Sequence, residues 1–116
     1  MAKSRKRNVS QGAAFAVVFA ALGDPTRLAL VTKLAAGTPQ SITRLAEDTD
    51  MTRQAVTKHL HVLQEAGVVE TTKSGRESLY SIRPTAFDDV QAYLAEVSAR
   101  WDEALARLKN FAEQTS

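Results

Sequence analysis

Two helix caps in the middle of this chain restrict its fold more than any other feature. Ser41 can cap a short helix that closes near residues 48–50, and Thr52 can cap a longer helix that runs to Ala66 and stops at Gly67. A short helix and a longer helix joined by a tight polar turn form the helix-turn-helix plan. The caps therefore predict a helix-turn-helix in this part of the chain.

Two further helices are predicted before this unit. The first covers roughly residues 11–22, where apolar side chains recur at helical spacing. The second begins after Asp24, a good N-cap residue followed by Pro25 at the first helical position, and it is ended by Gly37 and Pro39. Its predicted inward-facing residues are Leu28, Val31 and Leu34.

After the helix-turn-helix, the pattern changes to a hairpin and then to a long helix. Two β-rich runs flank Lys73–Arg76, a short segment of turn residues. A helix is then predicted over about residues 85–112, with apolar residues spaced alternately by four and three positions. Such a narrow stripe is typical of a helix that pairs with another helix, and a chain of 116 residues has little else to cover it. The stripe therefore predicts a homodimer, and the alternative is that its three heptads form the core of a monomer.

These elements define the predicted fold class, which is mainly α with about five helices and a small β-hairpin. One domain is expected over residues 10–116, and residues 1–9 are expected to be a disordered basic tail. This tail is interpreted as either a solubilising terminus or an arm that grips DNA. No apolar run approaches the length of a membrane span, so we expect no membrane partner and a cytoplasmic location.

The longer helix of the helix-turn-helix is predicted to carry one continuous polar face. At about 100° per residue, five polar side chains fall within an arc of about 140°: Arg53, Gln54, Thr57, Lys58 and His61. The other side of the helix is apolar and is formed by Ala55, Val56, Leu60, Val62, Leu63 and Ala66. The polar face contains no carboxylate, because Glu65 comes only at the end of the helix.

This composition favours DNA reading over an exposed surface without a function. Arg and Gln can make bidentate contacts to base edges in the major groove, and Lys and Thr can bind phosphates. At the hairpin tip, Lys73 and Arg76 lie beside the flexible Ser74 and Gly75, which suits a phosphate or minor-groove contact. The alternative for the tip is a solvated charged turn. Residues 51–83 also hold five Lys or Arg against three acids, whereas residues 84–116 hold three against six, so a polyanion would dock on the middle of the chain.

The two histidines of the chain are not expected to form a metal site. His59 falls within the apolar arc and is expected to be half-buried with one hydrogen bond, whereas His61 falls on the polar face. Residues two positions apart on a helix do not face each other, and the chain has no cysteine. Neither a glycine-rich phosphate loop nor a catalytic triad is evident. We therefore expect no metal, no cofactor and no enzymatic activity.

Three stretches, "ALGDPTRLALVTKLA", "MTRQAVTKHLHVLQEAGVV" and "GRESLYSI", resemble the ArsR/SmtB family of bacterial winged-helix repressors over about residues 12–110. The resemblance implies a homodimer that binds an inverted-repeat operator and represses until an inducer binds. It also implies that the helix after Thr52 is the recognition helix and that residues 74–77 are the wing tip. The first and last helices would form the dimer interface, through Phe15, Phe19, Leu94, Val97, Trp101 and Leu108.

The chain departs from the metal-sensing members of that family. Ser41 and Thr43 stand where arsenic and cadmium sensors have a Cys-x-Cys pair, and the last helix has acids but no histidine to complete a zinc site. The sequence is most similar to the branch without metal ligands, in which inducers are often unknown. A small-molecule effector is compatible with this branch. A pocket near Phe15, Phe19, Tyr93 and Trp101 could hold one, although core packing explains these aromatic residues equally well.

The leading functional prediction is a sequence-specific DNA-binding regulator, a homodimeric repressor whose partner is double-stranded DNA. The alternative is a winged-helix module that docks on a protein without touching DNA. A protein-docking face more often presents aromatic or apolar anchors than the cationic face described above. The predicted DNA-binding residues are Thr52, Arg53, Gln54, Thr57, Lys58, His61, Lys73 and Arg76.

Overall fold

The computed structural model describes residues 13–115, so the predictions for the basic tail 1–9 lie outside the described residues. The chain divides into two compact units between Ala86 and Phe87. The helices are α1 (Ala13–Leu22), α2 (Pro25–Ala35), α3 (Ile42–Glu47), α4 (Arg53–Glu65) and α5 (Pro84–Thr115). The strands are β1 (Gln40–Ser41), β2 (Val69–Ser74) and β3 (Glu77–Ile82). This order of elements confirms the predicted winged helix-turn-helix.

The three predicted N-caps are confirmed. The side chains of Asp24, Ser41 and Thr52 each accept a hydrogen bond from the backbone N–H three residues later, at distances of 3.0, 3.2 and 3.1 Å. Each bond satisfies an N–H group that has no partner within its helix. These local contacts fix where α2, α3 and α4 begin.

Gly67 ends α4 as predicted. It adopts a positive φ of 80°, and the N–H groups of Gly67 and Val68 donate to the carbonyls of Gln64 and Leu63 at 3.0 Å each. This pair of bonds is the Schellman motif, which requires a residue in the left-handed region just after the helix. Because glycine has no Cβ, it adopts this region without strain. The chain then enters β2 directly.

The hairpin is confirmed, and a third strand joins it. β2 and β3 pair antiparallel from Val69↔Ile82 to Ser74↔Glu77, and the two-residue strand β1 pairs with the other edge of β3. The strand order is β1-β3-β2. Strand β1 was not predicted, because two residues are too few to show an alternating pattern. Its pairing attaches the start of α3 to the hairpin.

The core of the first unit lies between the end of α1, the helices α2, α3 and α4, and the base of the hairpin. Its buried residues are Ala21, Leu30, Val31, Leu34, Leu45, Val56, Leu60, Leu63, Val68 and Val69. The prediction for α2 was wrong at Leu28, which is 49% exposed, and Leu30 takes its place. Two successive steps of three residues rotate about 120° around a helix, so Leu28 cannot share a face with Leu34. Val62, at the edge of the apolar arc of α4, is also exposed rather than buried.

Helices α1 and α2 are bent by 94° relative to each other. The Arg27 guanidinium stabilises this corner by donating from Nε to the Ala21 carbonyl at 2.6 Å and from Nη2 to the Ala20 carbonyl at 3.3 Å. A cation near the last carbonyls of a helix is favourable. Within residues 13–115, no single helix is long and apolar enough to cross a membrane, and α1 and α2 meet that criterion only as a bent pair.

Helix α5 extends beyond the predicted range at both ends. It begins at Pro84, one residue before the predicted start, and continues to Thr115. Proline at the first helical position has no N–H to leave unsatisfied, so it starts this helix as well as ending the hairpin. Along the predicted stripe, Leu94, Trp101 and Leu108 are 50%, 64% and 63% exposed, and Val97 is half-buried.

Candidate nucleic-acid interface

The polar face of α4 is exposed along its length. Val56, Leu60 and Leu63 on the opposite side are fully buried in the core, which fixes the rotation of the helix about its axis. The five side chains predicted to read DNA are all exposed, namely Arg53, Gln54, Thr57, Lys58 and His61. The structure therefore gathers these residues on one solvent-facing surface, which we call the reading face.

Two hydroxyl groups at the start of α4 differ in what they can offer a ligand. The Thr52 hydroxyl accepts from the Ala55 N–H at 3.1 Å, so its own hydrogen remains available to a phosphate oxygen. The Thr57 hydroxyl donates to the Arg53 carbonyl at 2.7 Å, so its hydrogen is already engaged. In this conformation Thr57 can only accept, for instance from a base amino group. The sequence showed both hydroxyls but not this difference.

In contrast to the prediction, the polar side of α4 includes one carboxylate next to the reading face, that of Glu65. Nε2 of His61 lies 3.1 Å from Oε1 of Glu65, and both side chains are well exposed. Glu65 lies at about 120° on the helical wheel, between Gln54 and Lys58, although it is in the last turn. The signal was present in the spacing, because residues four apart on a helix are neighbours. One ring nitrogen of His61, Nε2, is therefore paired with Glu65.

His59 faces away from His61, as predicted. It is half-buried, and its Nδ1 lies 4.0 Å from Oδ2 of Asp24, which is longer than the hydrogen bond expected for it. The backbone N–H of Arg27 holds the pKa of the Asp24 carboxyl below its ordinary value, and the charges of Arg27 and His59 act in the same direction. His59 thus belongs to the contact between α2 and α4. Among residues 13–115, no group of three His, Cys, Asp or Glu side chains is arranged to hold a metal.

The turn of the hairpin presents the second pair of predicted contacts. Gly75 has a φ of 64°, and Gly75 with Arg76 forms the two-residue turn between Ser74 and Glu77. Lys73 and Arg76 are exposed, and β2 is buried only at its first residue. The chain passes from α4 through Gly67 into β2. Along the sequence, the cationic tip of the hairpin is therefore separated from the reading face by one short strand.

The residues predicted for a dimer interface lie on α1 and α5. On α1, Phe15 is half-buried and Phe19 is exposed. On α5, Leu94, Trp101 and Leu108 form a row of exposed apolar side chains, with Leu105 beside them. Monomeric soluble proteins rarely expose contiguous apolar surface of this kind.

Comparisons with known proteins agree with this architecture. Residues 22–72 match the HTH_20 family model, described as a helix-turn-helix domain. The HTH-type transcriptional regulator Rv2034 of Mycobacterium tuberculosis is 36% identical over 85 residues, which is 73% of this chain and 76% of that protein. The matched region contains the helix-turn-helix.

Solved structures share the fold over more of the chain. An ArsR-like transcriptional regulator from Rhodococcus sp. RHA1 is 40% identical, with a TM-score of 0.81 over 91% of this chain and 96% of that one. A homodimeric winged helix-turn-helix DNA-binding domain from Mycobacterium bovis is 29% identical, with a TM-score of 0.63 over 84% and 86% of the two chains. The chain belongs to the ArsR family of winged helix-turn-helix transcriptional regulators, which bind DNA, as its fold, its exposed reading face and these similarities together show.

Proposed function

We propose that this protein is a sequence-specific repressor that binds an inverted-repeat operator as a homodimer. One observation carries the proposal: a continuous exposed face with two cations and several hydrogen-bonding groups is held rigidly by fully buried residues on the opposite side of α4. A rigid helix can place side chains on base edges reproducibly, and an α-helix fits the major groove. Helix α4 is thus the recognition helix.

The reading face divides into groups for bases and groups for phosphates. We assign Arg53 and Gln54 to base edges, because both side chains can form bidentate contacts and both lie in the first turn, which such helices present to the groove. We assign Thr52 and Lys58 to phosphates, since one retains a hydroxyl hydrogen and the other is a flexible cation. Thr57 and His61 complete the face from the second and third turns.

The wing supplies further phosphate or minor-groove contacts. Lys73 and Arg76 lie at the tip of a hairpin whose outer strand β2 is exposed beyond its first residue. Two like charges on a projecting turn do not stabilise each other, but both can neutralise DNA phosphates. We assign both side chains to this role.

The homodimer is proposed to form through α1 and α5, with Phe15, Phe19, Leu94, Val97, Trp101 and Leu108 at its interface. The exposed apolar row on α5 supports this, as does the homodimeric state named for the Mycobacterium bovis relative. A two-fold axis would place two recognition helices about one DNA turn apart, which gives the inverted repeat. We place the action of this regulator in the cytoplasm, and we propose no catalytic activity, since transcriptional regulators act by binding.

The proposal is tested by selecting bound fragments of genomic DNA and then measuring affinity by fluorescence anisotropy at several salt concentrations. We expect Lys58→Ala and Arg76→Ala to weaken binding to all sequences and to reduce the salt slope by about 1 each. Gln54→Ala should lose roughly 1–3 kcal/mol on the selected operator and discriminate less between sequences.

Lys109→Ala serves as the control, because this exposed lysine lies on α5 outside the reading face and the wing. It should bind like the unmodified protein. A salt slope near zero, or three variants that all bind like the control, would contradict the proposal. Co-purification of a protein partner together with absent DNA affinity would favour the protein-docking alternative.

A further inference from the structure

A groove on the first unit is not used by the reading face or the wing. It has a volume of about 760 Å³ and lies between α2 and the turn formed by residues 48–51, which joins α3 to α4. Pockets that bind small organic molecules have volumes of about 300–1,000 Å³ and mostly apolar walls. The residues that line the groove include Ala29, Lys33, Ala36, Asp48, Thr49 and Met51.

One ion pair crosses this groove. Nζ of Lys33 lies 3.1 Å from Oδ2 of Asp48, and the two side chains are 31% and 54% exposed. The Lys33 ammonium is shielded from solvent, and among the described residues no group hydrogen-bonds to it with good geometry. A shielded cation with a poorly aligned partner is under-compensated. Asp48 is the more exposed of the two and can turn towards water, whereas the Lys33 stem lies along the groove wall.

The groove also adjoins the hydrogen bonds that set the start of α4. The Thr49 hydroxyl donates to the carbonyls of Leu45 and Ala46 at 3.2 and 3.3 Å and accepts from the Met51 N–H at 3.4 Å. Thr49 and Met51 line the groove, and the next residue is Thr52, the N-cap of α4. Any molecule that moves this turn therefore acts on the first turn of the recognition helix.

We propose that the groove binds a small apolar molecule carrying one carboxylate, which pairs with Lys33 in place of Asp48, and that its binding shifts α4. The apolar body would cover Ala29, Ala36 and Met51, while the carboxylate would give the Lys33 ammonium a well-aligned charge-assisted bond. Release of Asp48 would loosen the turn that it begins. Binding of the molecule to the groove does not depend on the proposed function. Only the effect of this binding on DNA affinity rests on the proposed function.

The binding step is tested with 2-naphthoate as the probe and 2-naphthalenemethanol as its neutral counterpart. Titrations of the full-length protein are followed by calorimetry and by ¹H–¹⁵N NMR spectra. We expect 2-naphthoate to shift the amide signals of α2 and of residues 48–51. Lys33→Met, which keeps the stem and removes the charge, should bind it roughly tenfold more weakly. Asp48→Asn, which removes the competing carboxylate, should bind it more tightly.

Two further variants keep the test decisive. Ala29→Phe fills the groove while retaining Lys33 and should abolish binding, and Lys109→Met should leave it unchanged. Circular dichroism confirms that each variant is folded. Equal affinity for the neutral probe, equal affinity of Lys33→Met, or no binding at millimolar 2-naphthoate would overturn the proposed site.

The effect on DNA is measured separately by adding saturating 2-naphthoate to anisotropy titrations with the selected operator. We expect the operator affinity to change severalfold in the unmodified protein and to stay constant in Ala29→Phe. If 2-naphthoate binds but the operator affinity does not change, the site stands and its coupling to α4 is wrong. Loss of DNA binding under all conditions would instead contradict the proposed function and leave the binding result intact.

Discussion

Asp24 shows how one side chain serves two contacts in this fold. Its carboxylate caps α2 through the Arg27 N–H at 3.0 Å and lies 4.0 Å from Nδ1 of His59 on α4. Both contacts favour the ionised form, and the pKa of Asp24 is accordingly lowered from the ordinary value of 3.8. The start of α2 and the packing of α2 on α4 therefore both depend on the charge state of one half-buried carboxyl.

This shift gives a pH dependence whose sign can be worked out. A carboxyl with a lower pKa in the folded state stabilises the fold above its unfolded pKa, which is the ordinary value. The stabilisation is lost as the pH falls through the folded value. We expect the unmodified protein to be more stable than Asp24→Asn at pH 6, and the difference to shrink as the pH drops below about 4. Urea unfolding at several pH values measures this.

Asp102→Asn is the matched control, since it removes an exposed carboxylate from α5 without touching a cap. Asparagine at position 24 still caps the helix, so the comparison isolates the charge. A constant difference between the unmodified protein and Asp24→Asn over this pH range would show that the carboxylate contributes nothing by being ionised.

At the scale of elements, α4 is defined by its two ends. Thr52 starts it and the Schellman motif at Gly67 ends it, so the whole reading face lies within the 13 residues of α4. A helix that continued past Ala66 would carry Val68 and Val69 away from the core, where both are buried. The positive φ of Gly67 therefore directs the chain from the recognition helix into the wing.

We predict that Gly67→Ala destabilises the protein by roughly 1–2 kcal/mol, because an L residue is strained in the left-handed region. The cost is conformational rather than steric, since a Cβ at this position would lie 3.7 Å from Nη1 of Arg83, which is ordinary contact. Urea unfolding at a fixed protein concentration measures it.

Gly37→Ala is the control, because φ is not positive there and a Cβ would meet open space. This substitution should leave stability unchanged or raise it by about 0.4–1 kcal/mol. If both variants lose the same stability, the positive φ of Gly67 is not what limits the position.

At the scale of the whole molecule, α5 carries six of the ten exposed large hydrophobic side chains among residues 13–115. Leu94, Trp101, Leu105 and Leu108 are all at least half exposed along one helix. In a self-associating protein such a row would be covered by the same row of a second copy, because a two-fold interface uses one patch twice. This is the surface on which the proposed dimer depends.

We predict that Leu108→Glu shifts the protein from dimer to monomer. Burying a leucine contributes about 1.5–3 kcal/mol, and each dimer contains two, so association should weaken by at least roughly a hundredfold. Sedimentation velocity over a range of concentrations measures the shift, and operator affinity should fall with it. The control is Lys109→Gln, which lies at the next residue and lowers the net charge by one, as Leu108→Glu does. This variant should stay dimeric. A monomeric unmodified protein would contradict the proposed interface.

The sequence alone was sufficient for the features that depend on near neighbours. The caps at Asp24, Ser41 and Thr52, the end of α4 at Gly67 and the polar face of α4 were all predicted. Each depends on hydrogen bonds that reach three to five residues along the chain, or on the period of a helix. Even the pair His61–Glu65 was accessible in this way, from its i, i+4 spacing.

Only the tertiary structure decided the features that join distant segments. The pairing of β1 with β3 unites residues about forty positions apart, as Gln40 faces Tyr80, and such a register leaves no periodic trace in a two-residue strand. The ion pair between Lys33 and Asp48 depends on where the end of α3 lies against α2. Local chemistry determines where each helix starts and which face is polar, whereas packing between helices determines which neighbours meet across a groove.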